Sequence, residues 1–415
     1  MAELHPIRPI TDDEFARAYA VDEHAFHSHW PAEPEMRHFR ERFEFERSLA
    51  AFDGDLITGL AAAFTFRLSV PGAVMPTAGV TAVSVLPSHR RRGILRSLMT
   101  RQLGDIRDRG EAIAALWASE AGIYGRFGYG PASALSTVRI RRGEGQLAAG
   151  APSDPGLRLR IADPQQARLE ITKVYDAMIP GRPGLFARDD RWWNAALHDP
   201  EYRREGTAPL RCLLAEDTAG PKGYALYAAA PSWDEDDLPA GIIRIRELIA
   251  ESPPAAAGLW RDLLSRDLTG EVMAPNRPVD DPLLHMLADP RRARVRMHDG
   301  LWIRLVNVPA ALSGRSYAAP VDAVIEVADG LCPWNAGRWR LRAQGPGGPA
   351  AACERTGDPA DLALPVSALG AAYLGGTRLG ALAGAGLVTQ LREGSLAAVS
   401  AAMSWDPAPW CPMVF

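Results

Sequence analysis

Residues 80 to 93, VTAVSVLPSHRRRG, pass from a strand of Val, Thr and Ser through a short loop and directly into a helix. Unpaired N–H groups at a helix N-terminus point at whatever sits above it, and the helix dipole adds about half a positive charge there. Such an end binds anions, and a pyrophosphate is its natural guest. Arg90 and Arg91 can add charge-assisted hydrogen bonds, and Gly93 lets the backbone approach a bulky anion with no Cβ in the way. From Ser88 to Arg109 there are seven arginines and two aspartates, a local positive excess inside a chain of formal net charge −4.

A second block, LWASEAGIYGRFGYGPA, ends at residue 132 and is dense in aromatic residues and glycine. Tyr124 and Tyr129 each offer a phenol with an ordinary pKa near 10, suited to giving up a proton, and Glu120 offers a carboxylate beside them. Upstream, His24, His27, His29 and Trp30 crowd the segment DEHAFHSHWPAE. No carboxylate or cysteine with ligand spacing accompanies the histidines, so no metal site is expected.

The elements that must position these groups alternate between strand and helix. Helical patterns run over 12–21 and from 35 to about 45. SLAAFDGDLITGLAAAFTFRLSV reads as two strands joined at Asp53-Gly54, a hairpin signal, and AGVTAVSVLP as a third. SHRRRGILRSLMTRQLGDIRDRG reads as a helix with Ile94, Leu95, Leu98, Leu103 and Ile106 on one apolar stripe, closed by Gly110. With the strand EAIAALWAS this makes an α/β unit.

A Gly- and Pro-rich stretch near 142–156 marks a linker. Beyond it the order repeats, with strands RCLLAE, GYALYAAA and GIIRIRELIAES, helix AAAGLWRDLLSRDL and strand GEVMAP. In this copy SPPAAAG stands where the first has PSHRRRG, so the second copy is expected to have lost the ligand. From Leu301 the pattern changes to an α+β domain ending in SWDPAPWCPMVF. The expected domains are 1–145, 157–300 and 301–415.

At 415 residues, two or three domains are expected, and 47% apolar with 23% charged residues is an ordinary globular composition. An acidic balance argues against a dedicated nucleic-acid binder. Four separated cysteines without CxxC spacing indicate neither a disulfide framework nor zinc and fit a reducing cytoplasm. Neither an export leader nor a membrane span is expected.

Arg90-x-x-Gly93 after such a strand resembles the pyrophosphate loop of the GCN5-related N-acetyltransferase (GNAT) superfamily, although Leu95 stands where that pattern has Gly or Ala. VSVLPSHRRRGILRSLM followed at this distance by LWASEAGIYGRFGYGPA, with an aromatic last residue, resembles the Eis (enhanced intracellular survival) family, whose pattern tolerates Leu95. The resemblance implies a GNAT domain, a degenerate second copy and a C-terminal sterol-carrier-like α+β domain, assembled as a homohexamer.

It further implies acetyl-coenzyme A as donor, with Val83 and Val85 offering backbone groups to the pantetheine arm and Arg90, Arg91 and Gly93 holding the pyrophosphate. Tyr124 would be the general acid and the α-carboxylate of Phe415 the base. An alkyl ammonium is neutral in only about one molecule in 2,500 at pH 7, so a base or proton path is required. Tyr129 and Glu120 are the rival acid and base. In this family the segment around His24 to Trp30 lines the acceptor mouth, where Asp22, Glu23, Glu33 and Glu35 supply carboxylates. The acceptor expected is an amine of a polycationic small molecule such as an aminoglycoside, with lysine side chains as a further substrate. A lipid- or sterol-binding protein with a vestigial first domain, or a peptide acyltransferase using a longer acyl-coenzyme A, are the competing readings.

Overall fold

The first third of the chain forms β1 (Ile7–Arg8), α1 (Phe15–Phe26), α2 (Ala32–Arg40), β2 (Ser48–Asp53), β3 (Leu56–Val70), β4 (Ala73–Val85), α3 (Ile94–Asp108), β5 (Ile113–Trp117), α4 (Ala121–Tyr124), β6 (Gly130–Pro131) and β7 (Ala134–Arg141). This is a computed structural model, and it describes residues 5–27 and 32–415. The β2–β3 turn falls at Gly54-Asp55, with Gly54 in the left-handed region at φ 59°. The helix α3 begins only at Ile94, later than the periodicity suggests, so the arginines from 90 to 92 belong to the loop. Ile94, Leu98, Leu103 and Ile106 are buried as expected, while Leu95 is half-exposed. Gly110, at φ 79°, ends the last turn by donating to the Arg107 carbonyl.

The middle third forms β8 (Arg158–Ala162), α5 (Arg168–Met178), α6 (Asp190–Ala196), β9 (Arg211–Asp217), β10 (Gly220–Ala230), β11 (Ile242–Ala250), α7 (Pro253–Leu264), β12 (Glu271–Pro278), α8 (Leu283–Met286), β13 (Arg296–Asp299) and β14 (Leu301–Leu305). The first sheet has the order β1-β2-β3-β4-β5-β14-β6 and the second β8-β9-β10-β11-β12-β7-β13. The two orders correspond place by place, which is the internal duplication seen in three dimensions. In each sheet the sixth place is filled from across an expected domain boundary. LWIRL of β14 pairs with β5 from Leu301↔Trp117 to Leu305↔Ile113, and β7 pairs with β12. All five residues of β14 are buried, an environment that an interior sheet position supplies. The sheets thus exchange strands across residues 145 and 300.

The last third forms α9 (Val308–Ser313), β15 (Pro320–Ala328), β16 (Gly337–Gln344), β17 (Ala352–Arg355), β18 (Leu362–Pro365), α10 (Val366–Ala372), α11 (Leu379–Gly384), β19 (Thr389–Gln390) and α12 (Ser395–Met403). Its sheet has the order β17-β16-β15-β18-β19. One apolar core joins it to the first sheet, with Ile113 and Ile303 on one side and Ile325, Leu362 and Tyr373 on the other. No helix among the described residues is long and apolar enough to cross a membrane.

One irregularity positions the site. β4 and β5 pair in parallel only from Thr77↔Ile113 to Gly79↔Ala115, while β4 runs on to Val85 beside β3. Beyond Gly79 the two strands part. A register shift against β3 gives β4 an extra residue here, with Ala82 at φ 49°, as in a β-bulge.

Candidate active site

The parting of β4 and β5 opens into a cleft of about 630 Å³. Val83, Ser84 and Val85 form its β4 wall, and Arg90, Arg91 and Gly93 lie along the loop at the start of α3. Ser119, Glu120 and Tyr124 line it from the end of β5 and α4, and Ala25 and Phe26 of α1 line it as well. The five residues expected to hold the donor therefore line one cavity together with the expected proton donor.

The end of α3 is open to an anion. Gly93 is its N-cap at φ 85°, and no side chain caps the helix. A Cβ at Gly93 would meet nothing of the protein within 4 Å, so within the chain glycine answers a left-handed backbone rather than a lack of space. Arg91 is also left-handed, at φ 64°, an unusual conformation for a residue with a side chain. Arg90 and Arg91 are exposed, and among the described residues neither has an ion-pair partner.

The second sheet repeats the geometry and closes it. β11 and β12 also pair in parallel over three residues, from Ile242↔Glu271 to Arg244↔Met273. Pro253 and Pro254 open α7 and carry no N–H, and the Ser252 hydroxyl takes the N–H of Ala255. Arg277 is buried, pairs with Asp281 at 2.6 Å and donates to the Leu248 carbonyl at 2.6 Å, bridging β12 to β11. The indole of Trp410 donates to the Asn276 carbonyl at 2.7 Å. The chain's own side chains thus occupy the place that the first copy leaves open.

Tyr124 is buried at the cleft wall, and burial pushes its phenol up to about 12. The neighbouring Ser119 hydroxyl pulls it down, and the carboxylates of Asp22 and Glu120 push it up. Tyr129 packs edge-on against it with ring centroids 6.0 Å apart, but it is fully buried and is not part of the cleft wall. Its hydroxyl has no hydrogen-bond partner among the described residues.

The structure does not place Phe415 in the cleft wall. Its ring packs against Phe66 at 5.0 Å and Phe186 at 5.3 Å between centroids. It lies against Gly79, the last residue of β4 paired with β5; a Cβ there would come within 3.1 Å of the Phe415 ring and 2.2 Å of the Phe66 ring. Trp117, at the end of β5, donates its indole N–H to the Met413 carbonyl at 2.9 Å. The tail therefore ends at the point where β4 and β5 separate.

Of the acidic residues expected at the mouth, Glu33 pairs with Arg37 at 2.8 Å and Glu35 with Arg203. Both charges are matched within the chain. The His24 ring donates from Nδ1 to the Ala20 carbonyl, 2.6 Å away, and His27 ends α1. His29 and Trp30 lie outside the described residues. Sequence reasoning did not single out Ser84 or Ser119, single serines without a motif, nor Leu331, which reaches the cleft from the C-terminal third.

The acetyltransferase (GNAT) domain family matches residues 6–132, a second acetyltransferase (GNAT) domain family matches 184–305, and the sterol carrier protein domain family matches 308–412. The chain is 44% identical over 410 residues to an uncharacterized N-acetyltransferase of Streptomyces avermitilis, covering 99% of each. It is 38% identical over 339 residues to the N-acetyltransferase Eis of Mycobacterium tuberculosis, covering 80% of this chain and 79% of the relative. The crystal structure of Eis1 from Mycobacterium abscessus superposes with a TM-score of 0.84 at 34% identity, covering 99% of this chain and all of that one. GNAT acetyltransferases use acetyl-coenzyme A, and identity of this extent, carried across two GNAT domains and a sterol-carrier domain in this order, makes the chain a member of the Eis family of N-acetyltransferases.

Proposed function

We propose that the enzyme transfers the acetyl group of acetyl-coenzyme A to amines of a polycationic small molecule of the aminoglycoside kind, and to lysine side chains. The observation that carries this reading is the uncapped N-terminus of α3, with two arginines free of ion pairs among the described residues, opening on a cleft with Tyr124 at its far wall. Arg90, Arg91 and the backbone at Gly93 hold the pyrophosphate, and Val83 and Val85 offer backbone groups to the pantetheine arm past the bulge in β4. The bound donor supplies an activated acetyl thioester.

Tyr124 acts as general acid. Burial keeps its proton in place across the physiological range, so the phenol is always in its donating form. The α-carboxylate of Phe415 acts as general base from the tail that Trp117 holds at the strand separation. An ordinary terminal carboxyl has a pKa of about 3.3 to 3.7, so this group attracts the cationic acceptor and takes a proton only from nitrogen already made acidic. We propose further that the chain is cytoplasmic and assembles as a homohexamer.

Release of free thiol from acetyl-coenzyme A with kanamycin or tobramycin tests the reading, and acceptor-dependent release is the expected outcome. No release with any amine would return the choice to a lipid-binding role. Faster turnover of longer acyl donors would favour the peptide acyltransferase. Light scattering of the purified chain tests the hexamer.

A further inference from the structure

Two protons leave an ammonium nitrogen as it becomes an amide, and only the second comes from a nitrogen acidic enough for a terminal carboxylate. The first must leave an ordinary ammonium with a pKa near 10.4, which calls for a stronger base. One half-buried carboxylate near the cleft, Asp22, has no part in the proton transfers so far. Asp22 lies on α1 one turn before Ala25 and Phe26, which border the cleft, and the spacings of three and four put all three on one helix face.

Asp22 faces Ser84, the β4 residue just past the bulge, and its charge is felt by Tyr124 across the cleft. Its Oδ1 is buried without a hydrogen-bond partner among the described residues, and so is the Ser84 hydroxyl oxygen. No arginine, lysine or histidine among them pairs with it, in contrast to Glu33 and Glu35. Ser84 lines the cleft and Asp22 beside it does not; a buried carboxylate oxygen and a buried hydroxyl with no partner of their own fit a ligand that brings hydrogen-bond donors and positive charge.

We propose that Asp22, with Ser84 beside it, receives the reacting ammonium of the acceptor and takes its first proton. The inference rests on the acetyl-transfer reading of the same cleft. The ammonium gives one proton to the Asp22 carboxylate. The neutral nitrogen then forms the C–N bond while the C–S bond breaks, and the Tyr124 proton goes to sulfur. The second nitrogen proton goes to the Phe415 carboxylate. Asp22 and Phe415 release their protons to solvent, Tyr124 regains one from it, and one proton is released net.

The environment suits this role. Burial raises the Asp22 carboxyl from the ordinary 3.8 to about 6, the Ser84 hydroxyl, close by though outside good hydrogen-bond geometry, lowers it, and the charge of Glu23 on the same helix raises it. Tyr19 on α1 and Tyr124 on α4 are the other titratable groups that its charge reaches. Asp22 is thus a stronger base than an exposed aspartate and is still mostly ionised at pH 7. Once it has taken a proton its negative charge is gone, and Tyr124 becomes the better acid.

The test is the pH profile of kcat/KM for an alkylamine acceptor in Asp22→Asn, Ser84→Ala and a chain whose terminal carboxylate is a carboxamide. The wild type should lose rate as pH falls through about 6. Asp22→Asn should lower kcat/KM about 10²-fold or more and abolish this acid limb, with acetyl-coenzyme A affinity by calorimetry unchanged. Ser84→Ala should move the limb to higher pH, a readout that does not depend on how Asp22→Asn folds. The carboxamide enzyme should keep the limb at a lower rate. An acceptor already neutral at pH 7, such as a hydrazide, should be nearly insensitive to Asp22→Asn. An unaltered limb in Asp22→Asn or Ser84→Ala, or equal losses for alkylamine and hydrazide, would overturn the proposal. Full activity in Tyr124→Phe would instead overturn the reading beneath it.

Discussion

Trp117 and Met413 join the end of β5 to the chain's last residues, through an indole N–H held 2.9 Å from the Met413 carbonyl. The Cys411 thiol reaches the same carbonyl at 3.3 Å, a weaker contact. The terminus and the strand that parts from β4 are therefore tied directly, and a catalytic terminus would depend on that tie. A neutral hydrogen bond contributes about 0.5 to 1.5 kcal/mol net, which is up to about tenfold in a rate that needs it. Trp117→Phe should lower kcat by several-fold to about tenfold while leaving the donor KM unchanged. Steady-state kinetics with each substrate varied in turn checks this, and an unchanged kcat would make the terminus structural.

The arginine loop makes a separable prediction, because Arg90 and Arg91 are exposed and carry no part of the core. Each charge-assisted contact to phosphate is worth about 1.5 to 3 kcal/mol. Arg90→Ala and Arg91→Ala should each weaken acetyl-coenzyme A binding about 10- to 150-fold in calorimetry, with thermal stability preserved. Equal affinities in both variants and wild type would remove the pyrophosphate assignment. Gly93→Ala should weaken binding too, through strain at φ 85°.

For Tyr124→Phe the expected loss is in kcat, about 10²- to 10⁴-fold, with donor affinity retained. Since the phenol is pushed up to about 12, its ionisation should produce no fall in rate between about pH 8 and 10. Tyr129→Phe should change turnover little, since its hydroxyl is buried outside the cleft wall. The reverse pattern would exchange the two roles.

Local signals in the sequence were the legible ones. The α3 stripe, Gly54 in the hairpin and Gly110 at the helix end each follow from spacing within a few residues, and the structure contains all three. The strand-loop-helix device was legible for the same reason, since neighbours in sequence build the cleft from β4 to α4, whereas only the resemblance separated Tyr124 from Tyr129. What escaped was set by distant partners. LWIRL reads as a buried strand, but nothing in it names β5 as its neighbour. The closure of the second copy needed Arg277 to meet the Leu248 carbonyl, and Asp22 gained its environment from Ser84 on another element. Phe415 could be picked out only by resemblance, and its packing on Phe66 and Gly79 depends on the whole tail.

A desolvated carboxylate held for chemistry should cost stability, and Asp22 allows the sign to be worked out. Its pKa is raised from 3.8 unfolded to about 6 folded, so between those values the folded state binds more protons than the unfolded. The contribution of Asp22 then makes the protein less stable as pH rises from about 4 to 6, and the full cost remains above 6. Holding the ionised carboxylate in the folded chain costs at most about 3 kcal/mol, and less to the extent that solvent still reaches the side chain. Asp22→Asn removes the charge and keeps the shape. Its melting temperature should exceed that of the wild type at pH 7, and the difference should shrink toward zero near pH 4. Paired thermal melts at the two pH values measure this directly. A variant that is less stable at pH 7 would mean that the Asp22 carboxylate meets a stabilising partner in the folded chain, and the cleft would then have no unmatched charge to offer an acceptor amine.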